Sequence, residues 1–283
     1  MKIGIGLPNQ VRGVNARVIP QWALRSEQAG FSTLGTVGRI AYPGVMDTVA
    51  LTAAGAVTER IGLLSSVLLG TVWPAPLLAK EVAGVDGVSG GRLTLGLGVG
   101  GRPDDFVAEG HGTAGRGKRM DAALETFRGV WRGEPVGGGA NAAVPAGTRE
   151  IPMLFGGNAP AALARMARWG EGYIGGTLPA AMVSGSFDAA RSAWTDNGRS
   201  GAPRLVALCY FALGDPERGR GNVFDYYSGF GDFAATVAAG VRTTPDELRQ
   251  AVKDYDGIGA DELVFATSTD NLDDIEALAE VVL

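Results

Sequence analysis

Two short segments place a glycine pair where an apolar run stops and a helix-like run begins. In Leu154-Phe-Gly-Gly-Asn-Ala-Pro160 the pair is Gly156 and Gly157, and Ala159–Trp169 then reads as a helix. The first N–H groups of a helix have no intrahelical acceptor, and glycine leaves them unobstructed, so such a turn can hold an anion. The segment reads equally as a tight turn with Asn158 as an ordinary helix cap. Tyr173-Ile-Gly-Gly-Thr177 repeats the arrangement, with Gly175, Gly176 and the Thr177 hydroxyl as a further donor. Adjacent strands of a parallel barrel end side by side, so the two pairs can enclose one phosphate, and a flavin mononucleotide fits that description. A third glycine-rich stretch, Leu95-Gly-Leu-Gly-Val-Gly-Gly-Arg102, lacks the immediate helix and the later acid of a dinucleotide fingerprint. It reads either as a plain loop or as small residues, Gly98 among them, that let a flat ring lie against a strand end.

Other chemistries find little support. His111 is the only histidine, and the spacing puts no carboxylate beside it, so it reads as a surface or loop-packing residue. No His-x-x-x-His pair or acidic cluster has metal-ligand spacing. Asp104 and Asp105 are neighbours that point apart, and Asp273 and Asp274 suit the start of a helix, so both pairs read as structural. Cys209 is the single cysteine and lies in an apolar run, where it reads as a small core residue.

Positioning such turns requires strands that end together. Eight apolar runs read as strands: Ile3–Leu7, Thr33–Val37, Ile61–Leu68, Leu93–Leu97, Pro152–Phe155, Gly172–Ile174, Leu205–Ala212 and Glu262–Ala266. They are nearly continuous rather than alternating, as expected for parallel strands covered on both faces. Helix-period segments lie between them. Examples are Val45, Val49, Thr52, Ala53 and Ala56; Met120, Ala123, Leu124, Phe127 and Trp131; and Leu248, Ala251, Val252 and Tyr255. Thr244-Pro-Asp-Glu247 is a helix start, and Ser89-Gly-Gly91 a helix end. Strict alternation with a count of eight predicts one α/β domain over 1–283, a (β/α)8 barrel. Gly98–Arg116 and Gly214–Gly240, the latter with a helical Phe224–Ala239, are long enough to form lids or pocket walls on the catalytic face. Gly137–Gly147 reads as a surface loop.

Bulk composition agrees. Glycine is 45 of 283 residues, about twice the usual share and without a three-residue period, which suits many tight strand–helix turns rather than collagen. The formal net charge is −5 with no basic stripe, which speaks against nucleic-acid binding. No run of 18 apolar residues or secretory leader is evident, so the expected setting is cytoplasmic, without a membrane anchor.

Several stretches in order resemble the luciferase-like monooxygenases. They are Met1-Lys-Ile-Gly-Ile-Gly-Leu-Pro-Asn9, Thr58-Glu-Arg-Ile-Gly62, Leu78-Ala-Lys-Glu81, Ser89-Gly-Gly-Arg-Leu-Thr-Leu-Gly-Leu-Gly-Val-Gly100, Ile151-Pro-Met-Leu-Phe-Gly-Gly157 and Gly170-Glu-Gly-Tyr-Ile174. The resemblance implies a (β/α)8 barrel, usually dimeric, that uses reduced FMN or coenzyme F420. The cofactor residues it implies are Asn9, Ser66, Val67, Gly98, Gly156, Gly157, Asn158, Gly175, Gly176 and Thr177. It also implies a bulge with a cis peptide at Ser66–Val67, behind the flavin ring. Two positions depart from the family pattern. Where F420-dependent members often carry Asp-His, this chain has Val37-Gly-Arg-Ile40, and where some members carry an acid it has Gly101. With those proton donors missing, the expected activity is an FMNH2-dependent monooxygenase acting on a small organic molecule, with flavin from a separate reductase. An F420-dependent reductase or dehydrogenase is the alternative, and a flavin-binding relative without catalysis a third. Arg39, Tyr42 and Arg102 are the candidates at the mouth for a polar or anionic substrate group, each equally readable as a packing or salt-bridging residue.

Overall fold

The computed structural model describes residues 1–107, 110 and 112–283; His111 lies outside the described residues. The strands are β1 (Lys2–Gly6), β2 (Thr33–Thr36), β3 (Gly62–Ser65), β4 (Leu68–Leu69), β5 (Leu93–Gly98), β6 (Met153–Gly156), β7 (Gly172–Ile174), β8 (Arg204–Phe211) and β9 (Glu262–Thr267). All pair in parallel in the order β3-β2-β1-β9-β8-β7-β6-β5-β4, and β3 also pairs with β5, which closes the sheet. β3 and β4 are two halves of one stave, separated by Ser66–Val67, whose peptide bond is cis as the resemblance implied. The barrel therefore has eight staves, and all eight expected strands are present.

The helices are α1 (Val18–Ala29), α2 (Asp47–Val57), α3 (Ala75–Val88), α4 (Asp104–Val107), α5 (Arg116–Trp131), α6 (Pro160–Trp169), α7 (Ala180–Asp196), α8 (Pro216–Tyr227), α9 (Asp232–Ala239), α10 (Pro245–Gly257) and α11 (Asp273–Val282). Inside the barrel, Leu64, Leu154, Ile174, Val206, Leu208 and Val264 fill the space between strands, and Val67 packs on them. Residues of the opposite strand face, such as Leu63, Phe155, Tyr173 and Phe265, join the helices in the main core. Cys209 is buried there as expected.

The expected caps are present. Thr244 and Glu247 form a reciprocal capping box on α10. Gly90 and Gly91 both take the left-handed conformation after α3, which a side chain would resist. The expected face of α2 is wrong. The helix starts at Asp47 and buries Thr48, Ala50, Leu51, Ala54 and Gly55, while Val49 is 57% exposed. Small residues dominate this helix, so apolar spacing carried no unique face. The helical part of Gly214–Gly240 also begins earlier than Phe224: Asp215 caps α8 through the Arg218 N–H, and a 3-10 turn at Ser228–Phe230 joins it to α9.

Candidate active site

The carboxyl ends of β3–β8 surround a cavity of about 340 Å3, within the range of small-molecule sites. Ser66, Val67, Gly98, Gly156, Gly157, Gly175, Gly176 and Thr177 all line it, as do Val37, Leu69, Ile174, Leu208 and Tyr227. β6 and β7 pair Gly156 with Ile174, so the Gly156–Gly157 and Gly175–Gly176 turns stand side by side. The N–H groups of Gly157, Asn158, Gly176 and Thr177 have no acceptor among the described residues. Gly157 has φ +108°, a conformation that favours glycine. A Cβ on Gly176 would meet no protein atom within 4 Å, so its turn faces open space. At Gly98 the reason for glycine differs: a Cβ there would come within 2.7 Å of the Val67 side chain. The helices that follow, α6 and α7, begin just beyond these turns, and their N-terminal ends favour negative charge.

Two of the implied cofactor residues are not brought to the cavity. Asn9 is fully buried and donates through Nδ2 to the Val37 and Val45 carbonyls (3.0 and 3.2 Å), so it ties the segment after β2 to the chain's first turn. Asn158 does not cap α6: Ala159 occupies the cap position, and the Asn158 side-chain oxygen instead accepts the Tyr173 hydroxyl. That bond links the two glycine turns from outside.

Among the residues lining this cavity there is no carboxylate, imidazole, amine or guanidinium; its hydroxyls are Ser66, Thr177 and Tyr227. Ser66 donates to the Thr36 carbonyl at 2.8 Å, and Thr177 and Tyr227 bond each other at 3.1 Å. Among the described residues no group of three His, Cys, Asp or Glu could hold a metal.

Arg39, Tyr42 and Arg102 lie further out, around an outer vestibule of about 500 Å3. Arg39 pairs with Asp104 and Asp105, and Asp105 also accepts the Ile40 and Ala41 N–H groups at 3.0 and 2.9 Å. The two aspartates are structural, as read from sequence, but they do not point apart: both carboxylates reach Arg39. Tyr42 donates to Asp225 at 2.8 Å, and burial together with that carboxylate holds its hydroxyl well above the ordinary range. Burial, reinforced by the nearby Arg39, lowers the pKa of Arg102. Tyr226 meets Tyr227 edge-to-face and Phe230 lies tilted against Tyr227 over this region, bringing the Gly214–Gly240 segment to the cavity as a wall. Its aromatic content had marked the segment, but not which ring reaches inward. Asp47, buried next to Gly38, was missed because a lone acid at a helix start carries no signal beyond capping.

A family model described as luciferase-like monooxygenase matches residues 1–249. The Mycobacterium tuberculosis protein Rv0940c is 34% identical over 183 residues, covering 54% of this chain and 63% of that protein. The match thus spans less than two thirds of that relative's length. An F420-dependent secondary alcohol dehydrogenase, solved with an F420–acetone adduct, superposes with a TM-score of 0.79 at 13% identity, covering 99% of this chain and 98% of the other. The oxygenating constituent of 3,6-diketocamphane monooxygenase from Pseudomonas putida, solved with FMN, gives 0.74 at 15% identity, covering 100% and 97%. At these identities the superpositions show a shared barrel fold.

Proposed function

This chain belongs to the luciferase-like monooxygenase family, and from that premise we propose that it is a flavin-dependent oxidoreductase, an FMNH2-dependent monooxygenase of a small organic substrate. The observation that carries the reading is the pair of glycine turns: Gly157, Gly176 and Thr177 line one cavity, and their N–H groups have no acceptor among the described residues. They fit a phosphate: a Cβ at Gly176 would project into the space where it would sit. Gly156, Gly157, Gly175, Gly176 and Thr177 would hold the phosphate, and Ser66, Val67 and Gly98 would border the ring. Reduced flavin, when bound, supplies the electrons for oxygen insertion. Val37, Leu69, Ile174 and Leu208 give that space apolar walls. The lack of a protein acid in the lining favours a reaction whose difficult step needs none. An F420-dependent reductase or dehydrogenase is the second reading, since both cofactors present a phosphate and a flat ring. Reduced FMN would come from a separate reductase in the cytoplasm.

We also propose a homodimer, because Val49 on α2 and Leu77 and Val88 on α3 leave large apolar side chains exposed on adjacent helices. Light scattering that gives the mass of one chain would overturn this assembly.

Fluorescence titration of the purified protein with FMN and with F420 tests the cofactor. The sharpest variant is Gly176→Asp, which puts a carboxylate at the phosphate position without the backbone strain that Gly157→Asp would add at φ +108°. We expect at least a tenfold loss of affinity, about 1.4 kcal/mol or more. Unchanged affinity for both cofactors would overturn the phosphate site.

A further inference from the structure

Three neighbouring spaces share walls between the outer surface and the glycine-lined cavity. The outer vestibule shares Arg39, Arg102 and Phe230 with an inner chamber of about 200 Å3. That chamber shares Val37, Ser66, Val67, Leu69 and Tyr227 with the glycine-lined cavity. Two guanidinium groups, Arg39 and Arg102, therefore stand at the boundary of the vestibule and the inner chamber.

The two are not equivalent. The Arg39 side chain is 9% exposed and bound on both sides: it pairs with Asp104 and Asp105 and donates to the Tyr226 carbonyl at 3.4 Å. Arg102 is half-buried and forms no ion pair among the described residues. It donates Nη1 to the Tyr226 carbonyl at 2.5 Å, while its Nε and Nη2 have no acceptor among the described residues. Its guanidinium carbon lies 4.9, 5.3 and 4.5 Å from the ring centres of Tyr226, Tyr227 and Phe230. The rings hold the guanidinium plane and leave its Nε–Nη2 edge available, which is the edge that matches a carboxylate bidentately. A half-buried cation without an ion-pair partner is unfavourable, and the adjacent Arg39 adds to that cost; Asp105, which lines the same chamber, offsets it only at a distance, and a bound anion would offset it directly. The nearby Asp104 and Asp105 do not compete, because Arg39 and the Ile40 and Ala41 N–H groups already occupy them.

We propose that Arg102 determines substrate class by binding a carboxylate, so that the substrates are small carboxylic acids whose apolar part lies in the inner chamber against Val37, Val67 and Leu69. The proposal rests on reading the glycine-lined cavity as the flavin site, which makes the inner chamber the substrate side. It narrows three candidate polar residues to one: Arg39 and Tyr42 are occupied by carboxylates of the chain itself, and Arg102 is not.

Calorimetric titration with benzoate and hexanoate, and with benzamide and hexanamide as neutral counterparts, tests it on wild type, Arg102→Met and Arg102→Lys, each with and without FMN. Wild type should bind each acid at least tenfold more tightly than its amide. Arg102→Met should abolish that preference, Arg102→Lys should retain part of it, and FMN affinity should be the same in all three. Equal affinity of wild type for acid and amide, no saturable binding of either acid, or a preference that survives in Arg102→Met would each overturn the proposal. The wild-type comparison and Arg102→Lys decide the matter even where the methionine variant does not fold. Absence of FMN binding alongside an intact acid preference would instead overturn the flavin reading.

Discussion

Asp47 opens α2 with its carboxyl group fully buried against Gly38, where a Cβ would fall 1.8 Å from Asp47 Oδ2. Its Oδ1 has no hydrogen-bond partner among the described residues. Burial raises its pKa from 3.8 to about 6. Between those two values the folded chain binds the proton more tightly than the unfolded chain. Stability from this group is therefore full below pH 3.8 and falls as pH rises through about 6. Asp47→Asn removes the buried charge and keeps the shape. Urea denaturation should show the variant more stable than wild type by roughly 1–3 kcal/mol at pH 8 and nearly equal at pH 4. The same difference at both pH values would contradict the account. Nothing in the sequence marked this residue, because its burial depends on how α2 packs. The same packing left Val49 exposed where apolar spacing had placed it in the core. Asn9 and Asn158 were misplaced for a related reason: a polar amide beside a site can serve backbone or neighbour as readily as ligand, and here both do.

At the scale of elements, the segment from α8 to α9 covers the mouth without being a detachable flap. Val223, Val237 and Ala238 are buried with Tyr210 and Ala266, so excising the segment would open the core. Phe224, Phe230 and Phe233 are its exposed phenylalanine rings; Phe230 borders both the vestibule and the inner chamber, and Phe233 packs against it. Replacing Phe230 and Phe233 with serine should leave FMN affinity within about threefold, under about 1 kcal/mol, while iodide quenches the fluorescence of bound flavin more strongly. Unchanged quenching would show that these rings do not shield the site. The strands themselves were legible because burial on both faces writes continuous apolar runs, and the glycine turns because a glycine pair stands where each of two runs stops. The exact extent of α8 was not: its start depends on the Asp215 cap, within a stretch of Pro216, Gly219 and Gly221 that reads as loop.

For the whole molecule, closure of eight staves turns separate strand ends into one site. Eight of the ten cofactor positions implied by resemblance meet at a single cavity, although they come from four places in the chain. Among the described residues no helix is long and apolar enough to cross a membrane. The order of the strands made the pairing of β6 with β7 legible in advance. The division of labour among Arg39, Tyr42 and Arg102 was not, since it depends on Asp104, Asp105 and Asp225 reaching two of them across long loops. The central claim is that the paired glycine turns hold a cofactor phosphate. A crystal structure of the protein with FMN tests it most directly. The account predicts phosphate oxygens within hydrogen-bond distance of the Gly157 and Gly176 N–H groups, with the ring bordered by Ser66, Val67 and Gly98. FMN bound with its phosphate elsewhere, or no FMN in the barrel at saturating concentration, would contradict it.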